Sequence, residues 1–173
     1  MAETATTTLN DVDIGSVASL AQKIQQEPDV AATKWAAEVE WKGGFRSDAK
    51  IRDFEAVRSD EPPALGGTNT GPNPVEQILG ALGNCLAVGY AANATAMGIA
   101  LDKLVINVEG DLDLHTFLGL KDEHAGFHNI VVKVDLDSPA PAQDIEKLHA
   151  KVASTSPVGH TLNSAIPVLI EVA

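Results

Sequence analysis

The hydrophobic and polar positions of this chain change their period several times, and each change marks an expected element. Ile14, Val17, Leu20, Ala21 and Ile24 recur at helical spacing behind Asp13, a residue suited to an N-cap, and Pro28 follows as a stop. Residues 13–28 are therefore expected as a peripheral amphipathic helix behind a disordered tail over 1–12. From Thr33 the period falls to two: Trp35, Ala37, Val39 and Trp41 alternate with Lys34, Ala36, Glu38 and Glu40, the pattern of a half-buried strand. Gly43-Gly44 supplies a turn, and residues 45–54 and 55–60 follow as weaker strands, which together suggest an antiparallel meander.

Residues 61–73 carry Pro62, Pro63, Gly66, Gly67, Gly71 and Pro72 and read as a loop, long enough for a compact domain to hint at a functional role. Asn73-Pro74-Val75-Glu76 then opens a helix. Asn73 suits the N-cap, Pro74 the first helical position and Glu76 the third, where its carboxylate can reach back to the cap. The helix is expected to run to about Met97, with Gly98 as its stop. Between Ile78 and Met97 no residue is charged, and small residues recur (Gly80, Ala81, Gly83, Ala87, Gly89, Ala91, Ala92, Ala94, Ala96). A helix apolar all round is expected to be covered on every side, and its glycines to be offset by close packing. Beyond it come a strand over 103–115, a polar turn over 121–126, a strand over 127–137, an amphipathic helix over 141–153, a short helix over 157–164 and a last strand over 166–172. Strands and helices without βαβ alternation make an α+β fold, with residues 33–173 as a single domain.

Composition narrows the function classes. Of 173 residues, 45% are hydrophobic and 21% charged, a globular composition. Twelve basic residues against 24 acidic ones leave a net charge of −12, which repels phosphate and makes nucleic acid and anionic membrane poor partners. The acidic, Thr-rich start does not read as a secretory signal. The single cysteine, Cys85, excludes an intramolecular disulfide and a Cys-rich zinc site and suits a reducing cytoplasm. No cofactor is indicated.

Four groups of residues are candidates for chemistry. Cys85 lies in the uncharged helix, where it is either a small buried hydrophobe or a nucleophile. The second role needs a cation to favour the thiolate, and none lies in that helix. The stretch bearing Lys42, Arg46, Lys50 and Arg52 is the richest source of one. Glu76 has an adequate structural role in the cap and can also fix a guanidinium. Glu76 and Cys85 stand nine positions apart, on opposite faces and roughly 13.5 Å apart along one straight helix, so a shared site would need a bent first turn or two copies of the chain. His115, His124 and His128 cluster with Asp122 and Glu123 around the hairpin turn, which reads as a solvated tip rather than a metal site. Ser156 and His160 are spaced i, i+4, but no acid partner is indicated, and Ser156 suits the N-cap of the helix opening at Pro157.

The segment from Asn73 through Leu86, Asn-Pro-Val-Glu-Gln-Ile-Leu-Gly-Ala-Leu-Gly-Asn-Cys-Leu, resembles the signature of the OsmC/Ohr family, a Pro-x-Glu element followed by small residues and a cysteine on a central helix. Trp41-Lys42-Gly43-Gly44-Phe45-Arg46 resembles that family's N-terminal hairpin, and Ser156-Pro157-Val158-Gly159-His160-Thr161-Leu162 its C-terminal Cys-Pro element. The resemblance implies antiparallel sheets packed around central helices, an intertwined homodimer with sites at the subunit interface, and thiol peroxidase chemistry on organic hydroperoxides. By position it makes Cys85 the peroxidatic cysteine, Arg46 the arginine beside it and Glu76 the ionic partner of that arginine. The chain departs from the family at Ser156, which stands where the second, resolving cysteine falls. An external thiol must then reduce the oxidised Cys85. The competing reading is a non-catalytic dimer of this fold that binds an apolar small molecule.

Overall fold

The computed structural model describes residues 8–172 of the chain, in which helices and antiparallel sheets divide into two compact units, one of residues 15–78 and one of residues 79–172 together with residues 8–14.

The first unit holds helix α1 (Ile14–Gln26) from its second residue on, a 3-10 turn (Pro28–Ala31) and a three-stranded antiparallel meander of β1 (Glu38–Trp41), β2 (Ser47–Lys50) and β3 (Val57–Ser59) in that order. The meander matches the expectation, but its first strand is shorter than the 33–41 alternation suggested and is exposed along its whole length. Trp41 is 73% exposed, so β1 is not half-buried within the single chain. After β3 the 61–73 loop winds around one side chain. Asp60 is buried and accepts hydrogen bonds from the Glu61 N–H and from the N–H and hydroxyl groups of both Thr68 and Thr70. Gly67 lies against the Glu61 backbone so closely that any Cβ would collide with it.

Helix α2 (Pro74–Ala96) follows, its first turn in the first unit and the remainder in the second. It ends as expected: Gly98 is left-handed (φ 72°), the Ile99 N–H bonds to the Ala94 carbonyl, and the Gly98 N–H bonds to that of Thr95. These two bonds satisfy carbonyls that the helix end leaves open.

The second unit packs α2 and α4 (Ala142–Thr155) against the hairpin of β4 (Lys103–Leu112) and β5 (Phe127–Asp137). Burial alternates along both strands. Leu104, Ile106, Val134 and Leu136 face the core, while outward Lys103 and Lys133 pair with Asp135 and Glu109. Tyr90, Ala94, Ile99, Leu148 and Val152 form the buried centre. A short α3 (Leu114–Phe117), capped by Asp113, occupies what was expected as the end of the first strand, and α5 (Pro157–Leu162) follows α4.

Two expectations fail here because the described residues do not cover them, and a third fails for the opposite reason, because the fold holds a segment expected to be free. Within α2 only Leu82, Tyr90 and Ala94 are buried, and Val88, on the same uncharged helix, is 70% exposed. The last strand over 166–172 does not form; the segment pairs with no strand among the described residues, and its hydrophobic side chains are exposed. The disordered tail, finally, is corrected over 8–12, while 1–7 lie outside the described residues. Leu9–Asp11 form a 3-10 turn held by Asn10, whose amide donates to the Ile99 carbonyl (2.9 Å) and Thr95 Oγ1 (3.0 Å) and accepts from the Leu101 N–H (2.9 Å). Among the described residues no helix is long and apolar enough to cross a membrane.

Candidate functional site

The entry to α2 is closed as its sequence suggests. The Glu76 N–H donates to Asn73 Oδ1 (2.9 Å) and the Asn73 N–H donates to Glu76 Oε2 (2.8 Å), a reciprocal box that satisfies two otherwise open donors. Glu76 is exposed and committed to this cap, and among the described residues it makes no ion pair with Arg46. Arg46 sits on the β1–β2 turn, where its Nε–H donates to the Gly43 carbonyl (3.2 Å). The helix runs uninterrupted from Glu76 to Cys85 and beyond, so the bent first turn is not observed.

Cys85 is partly exposed on α2 as a free thiol. Its Sγ lies 3.3 Å from Ser156 Oγ, across 71 positions of sequence. Ser156 is itself placed by local chemistry. It is the N-cap of α5, accepting the Gly159 N–H on Oγ at 3.1 Å, with Pro157 in the first turn. While that oxygen accepts from Gly159, its own hydrogen remains free to reach the sulfur. The capping role foreseen for Ser156 is therefore present, and the fold adds the contact with Cys85 that local sequence could not show. His160 does not reach Ser156 as a base; its Nε2 bonds instead to the Ser154 carbonyl at 3.0 Å.

The charges are divided unevenly. All three arginines, Arg46, Arg52 and Arg58, belong to the first unit and Cys85 to the second. Arg52 lies over the Phe54 ring at 4.6 Å, and Arg58 faces Asp48 at 3.8 Å. Of the second unit's lysines, Lys103, Lys121, Lys133 and Lys147 each have a carboxylate partner. The hairpin histidines do not converge: His115 pairs with Asp113, while His124 and His128 meet edge to face at 5.8 Å. Among the described residues no group of three potential ligands could hold a metal ion.

Sequence reasoning missed a partly buried polar pair. Tyr90, the only tyrosine, bonds through its hydroxyl to His149 Nδ1 at 2.7 Å, and burial pushes its phenol above the ordinary value. Nothing in the spacing of Tyr90 and His149 announces this, because the pair joins α2 to α4.

A family model described as OsmC-like protein matches residues 67–171, more than half of the chain. The chain belongs to the OsmC-like family. Solved structures share its fold. An OsmC-like protein from Mycoplasma pneumoniae superposes with a TM-score of 0.65 at 21% identity, covering 76% of this chain and 88% of its own. An organic hydroperoxide resistance protein OsmC from Legionella pneumophila gives 0.56 at 17%, covering 76% and 91%. An organic hydroperoxide resistance protein from Elizabethkingia anophelis, with thiocyanate bound, gives 0.54 at 16%, covering 75% and 89%. At these identities the likeness concerns the fold. No curated protein matches the chain.

Proposed function

We propose that this OsmC-like protein is a cytoplasmic, homodimeric thiol peroxidase that reduces organic hydroperoxides through Cys85, with an external thiol as reductant. The observation that carries this reading is the approach of Ser156 Oγ to Cys85 Sγ at 3.3 Å. A cysteine at 156 would be placed to resolve an oxidised Cys85, and this contact supports the reading in which Ser156 stands at a resolving position that lacks its sulfur. The organic hydroperoxide resistance proteins that share the fold support the same chemistry.

In this reading the Cys85 thiolate attacks the distal oxygen of the hydroperoxide. An S–O bond forms, the O–O bond breaks, and the alkoxide leaves and takes a proton to become the alcohol. The sulfur, now a sulfenic acid, is oxidised by two electrons. A first external thiol displaces water to form a mixed disulfide, and a second releases Cys85 and carries away the disulfide. Since the second unit contains no arginine, a guanidinium beside Cys85 has to come from a 15–78 unit. We assign that part to Arg46 of a second copy, with Glu76 as its ionic partner. The uncovered face of α2 around Val88, the exposed strand β1 and the unpaired 166–172 segment all leave apolar surface for that copy to bury.

The test is mass analysis of Cys85 after one equivalent of cumene hydroperoxide, with a small thiol then added. Addition of one oxygen to Cys85, its reversal by the thiol, and loss of turnover in Cys85→Ser are expected. Cys85 surviving as a thiol at neutral pH would retire the reading.

A further inference from the structure

Ser156 is 5% exposed, and its Oγ accepts the Gly159 N–H at 3.1 Å. A hydroxyl that accepts in this way still has one hydrogen to donate. Among the described residues Cys85 Sγ, 3.3 Å away, is the other polar partner of that oxygen. Ser156 also lines a cavity of about 670 Å³ between α2, β5, α4 and α5, and no Asp, Glu, Lys or Arg lines it, so no charged group competes there for the hydroxyl. His149 and His160 line the same cavity, but they are bonded to the Tyr90 hydroxyl and to the Ser154 carbonyl.

In the thiol form of Cys85 either atom of the pair can donate. In the sulfenic acid the sulfur carries no hydrogen, because the proton is on the new oxygen. The Ser156 hydroxyl is then the donor, and a lone pair on Sγ accepts. That lone pair governs what happens to the oxidised sulfur. If it attacks the distal oxygen of a second hydroperoxide, a second S–O bond forms, the O–O bond breaks, and the departing alkoxide takes a proton from the oxidised sulfur group to become the alcohol. The sulfur loses two further electrons and becomes a sulfinic acid, which simple thiols do not reduce. Reduction uses the same sulfur as an electrophile: an external thiolate attacks it, an S–S bond forms, the S–O bond breaks, and the oxygen leaves as water. A hydrogen bond donated to the sulfur draws density from the lone pair. It opposes the second oxidation and does not oppose the attack of a thiolate.

We propose that Ser156 guards the sulfenic form of Cys85, holding the sulfur lone pair so that the oxidised protein is reduced by a thiol instead of being oxidised again by hydroperoxide. The inference rests on the peroxidase reading and concerns the regulation of that same site. A chain with one cysteine cannot protect its sulfenic acid as an intramolecular disulfide, so the oxidised sulfur has to wait for an external thiol.

The full-length protein is treated with one equivalent and then with excess cumene hydroperoxide in the absence of thiol, and intact mass is followed over time. The readout is the rate constant for gain of a second oxygen divided by that for gain of the first. In Ser156→Ala this ratio should rise at least about fivefold, the factor that an ordinary hydrogen bond contributes when it is lost from one step alone. Ser156→Thr keeps the hydroxyl and the cap and should leave the ratio near that of the parent. A purely structural role for Ser156 would alter access to Cys85 for both oxidations alike and would not move the ratio. If Ser156→Ala fails to fold, Ser156→Gly gives the same reading, because glycine at an N-cap costs little. An unchanged ratio in a folded Ala or Gly variant, or a folded Ser156→Thr with a ratio as high as that of Ser156→Ala, would overturn the proposal while leaving the peroxidase reading intact. A parent protein that gains no oxygen from the first equivalent would overturn both, so the two failures are told apart.

Discussion

Asp60 shows how one side chain can organise a loop. The Thr68 hydroxyl first, then the backbone and side chain of Thr70 and the Glu61 N–H, bond to its carboxylate and hold it well below the ordinary carboxyl range, against the opposing push of burial. Because the folded form is the one with the depressed value, the stabilisation is present above the ordinary carboxyl pKa of about 3.9 and is lost as the pH falls below it. The melting temperature should therefore drop from about pH 5 toward pH 2, and Asp60→Asn should both lower it at neutral pH and flatten that slope, since an amide NH2 would face the Thr68 and Thr70 donors. A thermal scan across pH reads both. Ser156 offers a second experiment at this scale. Ser156→Cys places a second sulfur where Oγ now approaches Sγ at 3.3 Å, so peroxide treatment should yield an internal disulfide visible by non-reducing mass analysis. Loss of the α5 cap should cost about 1 kcal/mol in the reduced form.

At the scale of elements, α2 carries two burdens that can be separated. Its Asn73–Glu76 box is structural, and Asn73→Ala should cost about 1 kcal/mol, measured by denaturant unfolding. Glu76→Gln keeps an acceptor oxygen for the Asn73 N–H and should stay within about 0.5 kcal/mol of the parent. It removes the charge that would orient Arg46, so hydroperoxide turnover should fall while stability does not. Equal losses of both would leave Glu76 with its cap alone. The glycines of α2 divide in the same way. A Cβ at Gly89 would press within 3.2 Å of Val152, so that glycine allows α4 to approach, whereas a Cβ at Gly80 would meet nothing within 4 Å among the described residues.

For the whole molecule, the uncovered surface is the main fact. Val88, Trp35, Trp41 and the hydrophobic residues of the 166–172 segment are exposed, and exposed apolar surface of this kind is a candidate for an interface. If a second copy covers the α2 face, Val88→Asp should convert a dimer to a monomer in light scattering, because it buries an unpaired charge in that interface. An unchanged dimer would move the interface elsewhere. Several elements were legible from periodicity: the strand expected over 127–137 is β5 (Phe127–Asp137), with Ile130, Val132, Val134 and Leu136 on one face, and the capping residues around Asn73, Ser156 and Gly98 act as expected. The 166–172 segment has the same apolar character and forms no strand, because a strand is defined by a partner and none among the described residues is brought to it.

Local chemistry written in the sequence determined the helices, their caps and stops, the two hairpin strands and the candidate nucleophile, since each depends on neighbours within a few positions. Only the tertiary structure decided that Ser156 meets Cys85, that Tyr90 meets His149, that five donors converge on Asp60, and that a cavity lined by no Asp, Glu, Lys or Arg lies beside the thiol. Those contacts join residues that periodicity treats as independent, and folding is what brings their atoms within hydrogen-bonding distance.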